Sequence, residues 1–296
     1  MIRLSGIPCL VLFLLLFAIT DLSAQGRVLR GPAECKSEAA ASASERGFKF
    51  ADKEEHEKAL EEYLRAVRLE PSCAAVYHNL GTGYAALERH VDAVSAYQKA
   101  LQFNPSWSWG SVLSIGRSYA ALDRLDEAIS AYDAVIEFQP SDEAAYRSRA
   151  GLYLRKGNGS SAVADAKSYL KIKGWRGNNS LYVVFIGYFA LRQMQQTDAA
   201  NRFLDDALSK AKKNDWPFPV LRYLRKETKE QDLLAIASDI GRMTEARTYI
   251  GLDLSLSGKV EDALGHLNWV KLNGKKSYSE YRFALSEIAR IEAERK

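Results

Sequence analysis

Residues 91–105 read VDAVSAYQKALQFNP, and the same grammar stands at 57–71 (EKALEEYLRAVRLEP) and 125–140 (LDEAISAYDAVIEFQP). In each, an alanine is followed four positions later by a tyrosine and eight beyond that by a proline: Ala59–Tyr63–Pro71, Ala93–Tyr97–Pro105 and Ala128–Tyr132–Pro140. With Ala162 added, the alanines recur at intervals of 34, 35 and 34. A second set lies upstream: Gly47 with Phe50, Gly81 with Tyr84, Gly116 with Tyr119, and Ala150 with Tyr153. An offset of three puts each small residue and its aromatic on one helical face. The proline ends the second helix, because it has no N–H and clashes with the preceding turn. The pattern predicts pairs of helices that cross closely at small residues, with tyrosines filling the space on either side.

A period near 34 carrying these residues resembles the tetratricopeptide repeat, a helix–turn–helix unit. Residues 74–107 hold Tyr77, Leu80, Gly81, Tyr84, Ala93, Tyr97, Ala100 and Pro105, which follow the family pattern almost throughout. The resemblance implies an all-α fold, a right-handed α-solenoid of stacked helix–turn–helix repeats. One repeat cannot bury its apolar face alone, so neighbours complete a continuous core. Four repeats are expected over 40–174 and divergent, repeat-like helices over 175–296. Repeat four has Ala166 where an aromatic is expected, and ends at Gly174. Gly187, Ala199 and Phe203 keep the pattern in repeat five; then 64 residues separate Ala199 from Ala263. The added stretch predicts two short helices, one around Trp216–Leu224 and one over Leu233–Ile236 after a capping-type Thr228-Lys229-Glu230-Gln231. Tyr278–Arg295 reads as a terminal capping helix with a charged outer face. The layout is similar to exported bacterial members of the family in the cell envelope, which share a W-P-x-P segment (Trp216–Pro219), a Thr244–Gly251 motif and a Glu280–Ile288 tail.

Residues 1–24 read as a signal peptide: Arg3, an apolar run from Cys9 to Ile19, and a small-residue end at Ala24, after which cleavage is expected. The run is shorter than the roughly 20 residues a spanning helix needs. The mature chain is therefore expected to be periplasmic or secreted, without an integral membrane span; an uncleaved N-terminal tether is the alternative. Residues 25–39 form a linker. It carries Cys35, and the only other mature cysteine is Cys73. An exported location permits a disulfide between them; two unpaired thiols are the other reading.

The net charge is +4, with acidic and basic residues interleaved, which excludes the clustered basic face of a nucleic-acid binder. No metal site or cofactor is expected. His56-Glu57 opens like a zinc-protease motif, but Leu60 stands where the second histidine would be. Gly81-Thr82-Gly83 has no strand before it. Cys73 and His78 lack a third, orienting group. The chain is read as non-catalytic.

The resemblance also implies a concave groove lined by the first helices of the repeats. Carried onto this sequence, its positions include His78 and Thr82 in repeat two, Leu113 and Arg117 in repeat three, and Arg147 and Arg155 in repeat four. Arginine suits carboxylate recognition through two parallel hydrogen bonds; a solvated or internally paired charge is the plainer reading of each. The expected role is a scaffold or adaptor for a partner protein or extended peptide in the envelope. An accessory subunit that positions an envelope hydrolase or assembly complex is the alternative. Trp107 and Trp109 could form a contact patch or cover the core.

Overall fold

The structure is a computed structural model that describes residues 35–105, 108–177, 179–213 and 215–295. The expected signal segment, most of the linker, and Trp107 lie outside the described residues. Fifteen helices and no strand are found among those described. They are α1 (Glu38–Ala51), α2 (His56–Leu69), α3 (Ala74–Ala86), α4 (His90–Phe103), α5 (Ser108–Ala121), α6 (Leu125–Phe138), α7 (Glu143–Arg155), α8 (Gly159–Lys173), α9 (Ser180–Gln193), α10 (Thr197–Lys210), α11 (Phe218–Leu224), α12 (Glu230–Ile236), α13 (Ile240–Ser255), α14 (Val260–Asn273) and α15 (Ser279–Glu294). The fold is an all-α solenoid of adjacent helix pairs. No described helix is long and apolar enough to cross a membrane. The chain forms two compact units, 1–145 and 146–296, with the division inside α7.

In the first unit α1 packs on α2, α3 on α4 and α5 on α6, and each pair packs on the next. The recurring small residue is where the two helices of a pair meet. A Cβ placed on Gly47, Gly81 or Gly116 would lie 2.6, 2.7 or 2.8 Å from the ring of Tyr63, Tyr97 or Tyr132. Each ring belongs to the residue sixteen positions later, and all three tyrosines are buried. Burying such a side chain contributes about 1.5–3 kcal/mol. The turn between the helices repeats as well. Glu54, Glu88 and Asp123 all have positive φ, and the next residue's N–H donates to a carbonyl five positions back (Glu55 to Phe50, Arg89 to Tyr84, Arg124 to Tyr119). This is the left-handed stop that satisfies orphan carbonyls at a helix end.

The start of α1 is fastened twice. Ser37 caps it by accepting from the Ala40 N–H at 3.2 Å. The Glu70 carboxylate accepts from the Lys36 and Ser37 N–H groups at 3.0 and 2.8 Å. Beside them Cys35 and Cys73 are joined by a disulfide with Cα atoms 5.4 Å apart, an ordinary separation for such a bond.

The second unit keeps the crossing rule with other residues. Gly187 faces Phe203 and Gly251 faces Leu267, each at 2.6 Å from an added Cβ. Repeat four instead has alanine at both places, Ala150 and Ala166, and both are fully buried. The loss of the aromatic is thus matched by a gain of one carbon opposite. The two short helices of the added stretch are α11 and α12. Lys229, not Thr228, caps α12, with its N–H donating to the Asp232 carboxylate at 3.3 Å. In α10 Ala200 is fully buried and Ala199 only half-buried. The helix buries Ala200, Phe203, Leu204 and Ala207. α9 is buried from Leu181 to Leu191 except at Tyr182, and its Phe185 and Phe189 rings lie 4.8 and 5.9 Å from Tyr249 of α13.

The exposed end of α15 carries Glu292 and Glu294, but two acidic residues lie on its packed side. Glu280 and Glu287 are buried along with Phe283, Ala284, Ile288 and Ile291. Both carboxylates are held by hydroxyl donors: Tyr249 to Glu280 at 2.6 Å and Ser255 to Glu287 at 2.6 Å.

The crossing rule is testable. Alanine is better than glycine in a helix by about 1 kcal/mol, but overpacking a well-filled site costs about 1–3 kcal/mol. Tyr97 is buried and cannot swing away, so the clash should win. Gly81→Ala is expected to lower stability in urea unfolding by about 1–2 kcal/mol. In a Tyr97→Leu background the same change should cost less; equal costs in both backgrounds would remove the ring as the cause.

Candidate binding surface

The first helices of the first unit place their residues in rows, one helix after another. One row is Ser44, His78 and Leu113, each three positions before the crossing glycine. The next is Phe48, Thr82 and Arg117, each one position after it. The structure separates the two. Ser44 and Leu113 are buried and His78 is half-buried, whereas Phe48, Thr82 and Arg117 are exposed.

The first row holds the stack together. Asn79 Nδ2 donates to Ser44 Oγ at 2.8 Å, tying α3 to α1. His78 Nδ1 and Ser111 Oγ lie 3.0 Å apart in a hydrogen bond between α3 and α5, its direction set by the tautomer. Burial pushes the His78 imidazole below its ordinary 6.5, so the ring is neutral near pH 7. Leu113, expected in the groove, is 8% exposed and serves packing. Between the rows stands the Tyr97 hydroxyl, 3.3 Å from Thr82 Oγ1 and also bonded to Ser114. Burial pushes the Tyr97 phenol above its ordinary value of 10, so it stays a neutral donor.

The second row is open. Phe48 is 59% exposed, a large ring in the open row that sequence reasoning missed. Its signal was the interval of 34 from Thr82. Trp109, at the start of α5, is 41% exposed. The surface therefore offers an apolar contact, a hydroxyl and a guanidinium in order along successive helices. Cys73, considered beside His78, is in the disulfide. Among the described residues only Cys35, Glu70 and Cys73 bring three metal-ligand atoms together, and both sulfurs are already bonded.

In the second unit Arg147 is half-buried. Arg155 Nε donates to Ser286 Oγ of α15 at 3.0 Å. Gly151 and Leu154, neighbours of Arg155 on α7, are buried, and the Phe283 ring lies 3.4 Å from where a Gly151 Cβ would stand. So α15 covers this part of the inner face, and Arg155 works within the chain.

Two further acidic sites sit in this unit. Asp253 is buried but meets Arg192 at 3.2 Å and the Lys226 ammonium. Glu245 is buried with neutral donors, the Tyr182 hydroxyl at 3.1 Å and the Trp216 indole N–H. Burial, and then the nearby Glu280 charge, raise its pKa from 4.5 to about 7. Trp216 thereby anchors the added stretch to α13. Asn158 caps α8, accepting from the Ser161 N–H at 3.3 Å.

Stacked helix pairs of about 34 residues with one row of side chains left open define a repeat scaffold that presents a surface. The tetratricopeptide-repeat family models match residues 74–107 and 113–176, and the chain is a tetratricopeptide-repeat protein. No curated protein sequence matches it. Among solved structures, a tetratricopeptide repeat protein from Parabacteroides merdae superposes with a TM-score of 0.62 at 17% identity, covering 85% of this chain and 100% of its own. MamA does so with a TM-score of 0.53 at 17% identity, over 65% of this chain and 96% of its own. YrrB, described as having an unusual peptide-binding site, gives 0.52 at 17% identity, over 64% and 92%. These likenesses establish the shared fold.

Proposed function

We propose that the chain is a non-catalytic interaction scaffold that binds an extended peptide segment across the open row of its first unit. The observation that carries this is the contrast between the two rows. His78 and Leu113 are spent on the stack, while Phe48, Thr82 and Arg117 face outward on successive helices. Such a row suits a segment with an apolar side chain near Phe48, a backbone polar group near Thr82 and a carboxylate near Arg117. The peptide-binding site named for YrrB is consistent with this use of the fold.

We place the scaffold outside the cytoplasm, in the periplasm or beyond. Two observations support that reading: the charged start and apolar run of residues 1–24, and the Cys35–Cys73 disulfide, a bond that persists in oxidising compartments.

The test is affinity capture from envelope extract, followed by titration of the captured partner. The parent protein is compared with Phe48→Ala and Arg117→Glu, both at exposed positions where folding is unaffected. Each change should weaken the partner about tenfold or more, as loss of a central anchor does. A partner held equally by all three proteins would move the site away from this row.

A further inference from the structure

Acidic and basic residues nearly balance over the whole chain, but the two units do not share them evenly. Residues 146–296 carry 27 Lys and Arg against 17 Asp and Glu, and residues 1–145 carry 14 against 20. Much of the surplus stands where helices of the second unit end. α8 runs out into KIKGWR (171–176), α10 into KAKK (210–213) and α14 into KLNGKK (271–276). The matching ends of α2, α4 and α6 in the first unit read RLE (68–70), QFN (102–104) and EFQ (137–139).

The three basic ends follow one another along one edge. Arg176 Nε donates to the Lys210 carbonyl at 3.1 Å, and the Lys210 ammonium lies 4.8 Å from the centre of the Trp175 ring. Trp216 is held by Glu245 of α13 and lies 5.7 Å from the Arg242 guanidinium of that helix. The Lys275 N–H donates to Thr244 Oγ1, again of α13, at 2.9 Å. Lys210, Lys212 and Arg242 are matched by Asp206, Asp215 and Asp239. Lys171, Arg176, Lys213, Lys271, Lys275 and Lys276 are exposed, and none of them meets a carboxylate among the described residues. A lysine in a last turn complements the helix dipole, but that effect falls off within the turn. Arg176, Lys213, Lys275 and Lys276 stand two or three residues past their helix ends.

We propose that this edge docks the second unit on an anionic lipid bilayer. Each unmatched cation brought to such a surface strengthens binding about fivefold. Leu272, 81% exposed and set among Lys271, Lys275 and Lys276, enters the boundary between headgroups and acyl chains while the lysines stay at the phosphates. Trp175, Trp216 and Tyr278 are half-buried on the same edge, the kind of ring that settles at the level of the headgroups. A single-stranded polynucleotide would need rings open for base stacking. Here each ring already has a cation against it, Lys275 lying 4.9 Å from that of Tyr278. The edge belongs to the second unit alone and does not depend on the open row of the first.

The test is co-sedimentation of the full chain with vesicles of phosphatidylcholine, with and without phosphatidylglycerol. All variants keep residues 1–24, so whatever that segment contributes is common to them. Binding is expected to require phosphatidylglycerol and to be lost in about 1 M salt, where the Debye length is about 3 Å. Lys271→Gln, Lys275→Gln and Lys276→Gln together should weaken it about a hundredfold with an unchanged circular dichroism spectrum, and arginine at the same three positions should preserve it. Arg176→Gln with Lys213→Gln should cost about twentyfold and decides the matter should the triple variant not fold. Leu272→Ser should weaken binding about fivefold and leave its salt dependence unchanged. The proposal is overturned by equal binding to both kinds of vesicle, by full-strength binding of either folded glutamine variant, or by capture of a single-stranded oligonucleotide in preference to anionic vesicles.

Discussion

Reducing the Cys35–Cys73 disulfide should lower the stability of the first unit by about 3–4 kcal/mol. The bond joins residues 38 apart in sequence. Closing a loop of that size removes unfolded-state entropy worth about 4 kcal/mol in the chain-entropy model. The folded state gains little by its loss, because the start of α1 has other fastenings. Glu70 still accepts from Lys36 and Ser37, and Ala40 and Ala43 are still buried in the stack. Reduction should therefore shift the urea midpoint downward without changing the folded helix content. A Cys35→Ser, Cys73→Ser double variant should match the reduced parent. If the oxidised and reduced proteins, with the bond verified by mass, unfold together, the crosslink contributes nothing and the two thiols are incidental.

The second large effect is a pH dependence. In the unfolded chain Glu245 titrates near the ordinary 4.5; in the folded protein the value is about 7. The folded state thus prefers the proton. Stability from this group is fully present below 4.5 and is lost as the pH rises to about 7. A shift of that size corresponds to roughly 3 kcal/mol. Glutamine keeps the size and cannot ionise. Glu245→Gln should accordingly leave stability below 4.5 nearly unchanged and raise it above about 7 by roughly 3 kcal/mol relative to the parent. The difference between the two proteins isolates this residue from every other titrating group. A flat difference across that interval would mean that the carboxylate is already ionised in the fold.

The repeat architecture was legible in the sequence because its determinants are local and periodic. Gly81, Ala93 and Tyr97 lie within one helix pair, so spacing alone places them. The short helices α11 and α12 were legible for the same reason. The open row was only half legible. The repeat register put these residues on the first helices, but it could not say that the row holding His78 and Leu113 turns into the stack and the row holding Thr82 and Arg117 is open. That depends on how far neighbouring helices overlap. Phe48 was missed because a phenylalanine in a helix reads as core. The fate of Arg155 was out of reach: its partner Ser286 is 131 residues away. The burial of Glu280 and Glu287 was likewise out of reach, because nothing local signals the hydroxyls of Tyr249 and Ser255 that hold them.

The pairing of a small residue with a large one sixteen positions on has a consequence for how such a chain can change its length. Both members lie inside a single helix pair, as with Gly81 and Tyr97 or Gly251 and Leu267. A duplication or deletion of one whole period therefore inherits the two together, whatever its neighbours carry. A break point between them would splice a glycine to a foreign partner and leave a void or a collision at the crossing. Repeat four shows that the pair can drift, to Ala150 and Ala166, as long as the two sides change in step. Break points are thus expected to be tolerated in the turns between helix pairs and not in the turn within a pair, which leaves the number of repeats freer to vary than the contents of any one of them.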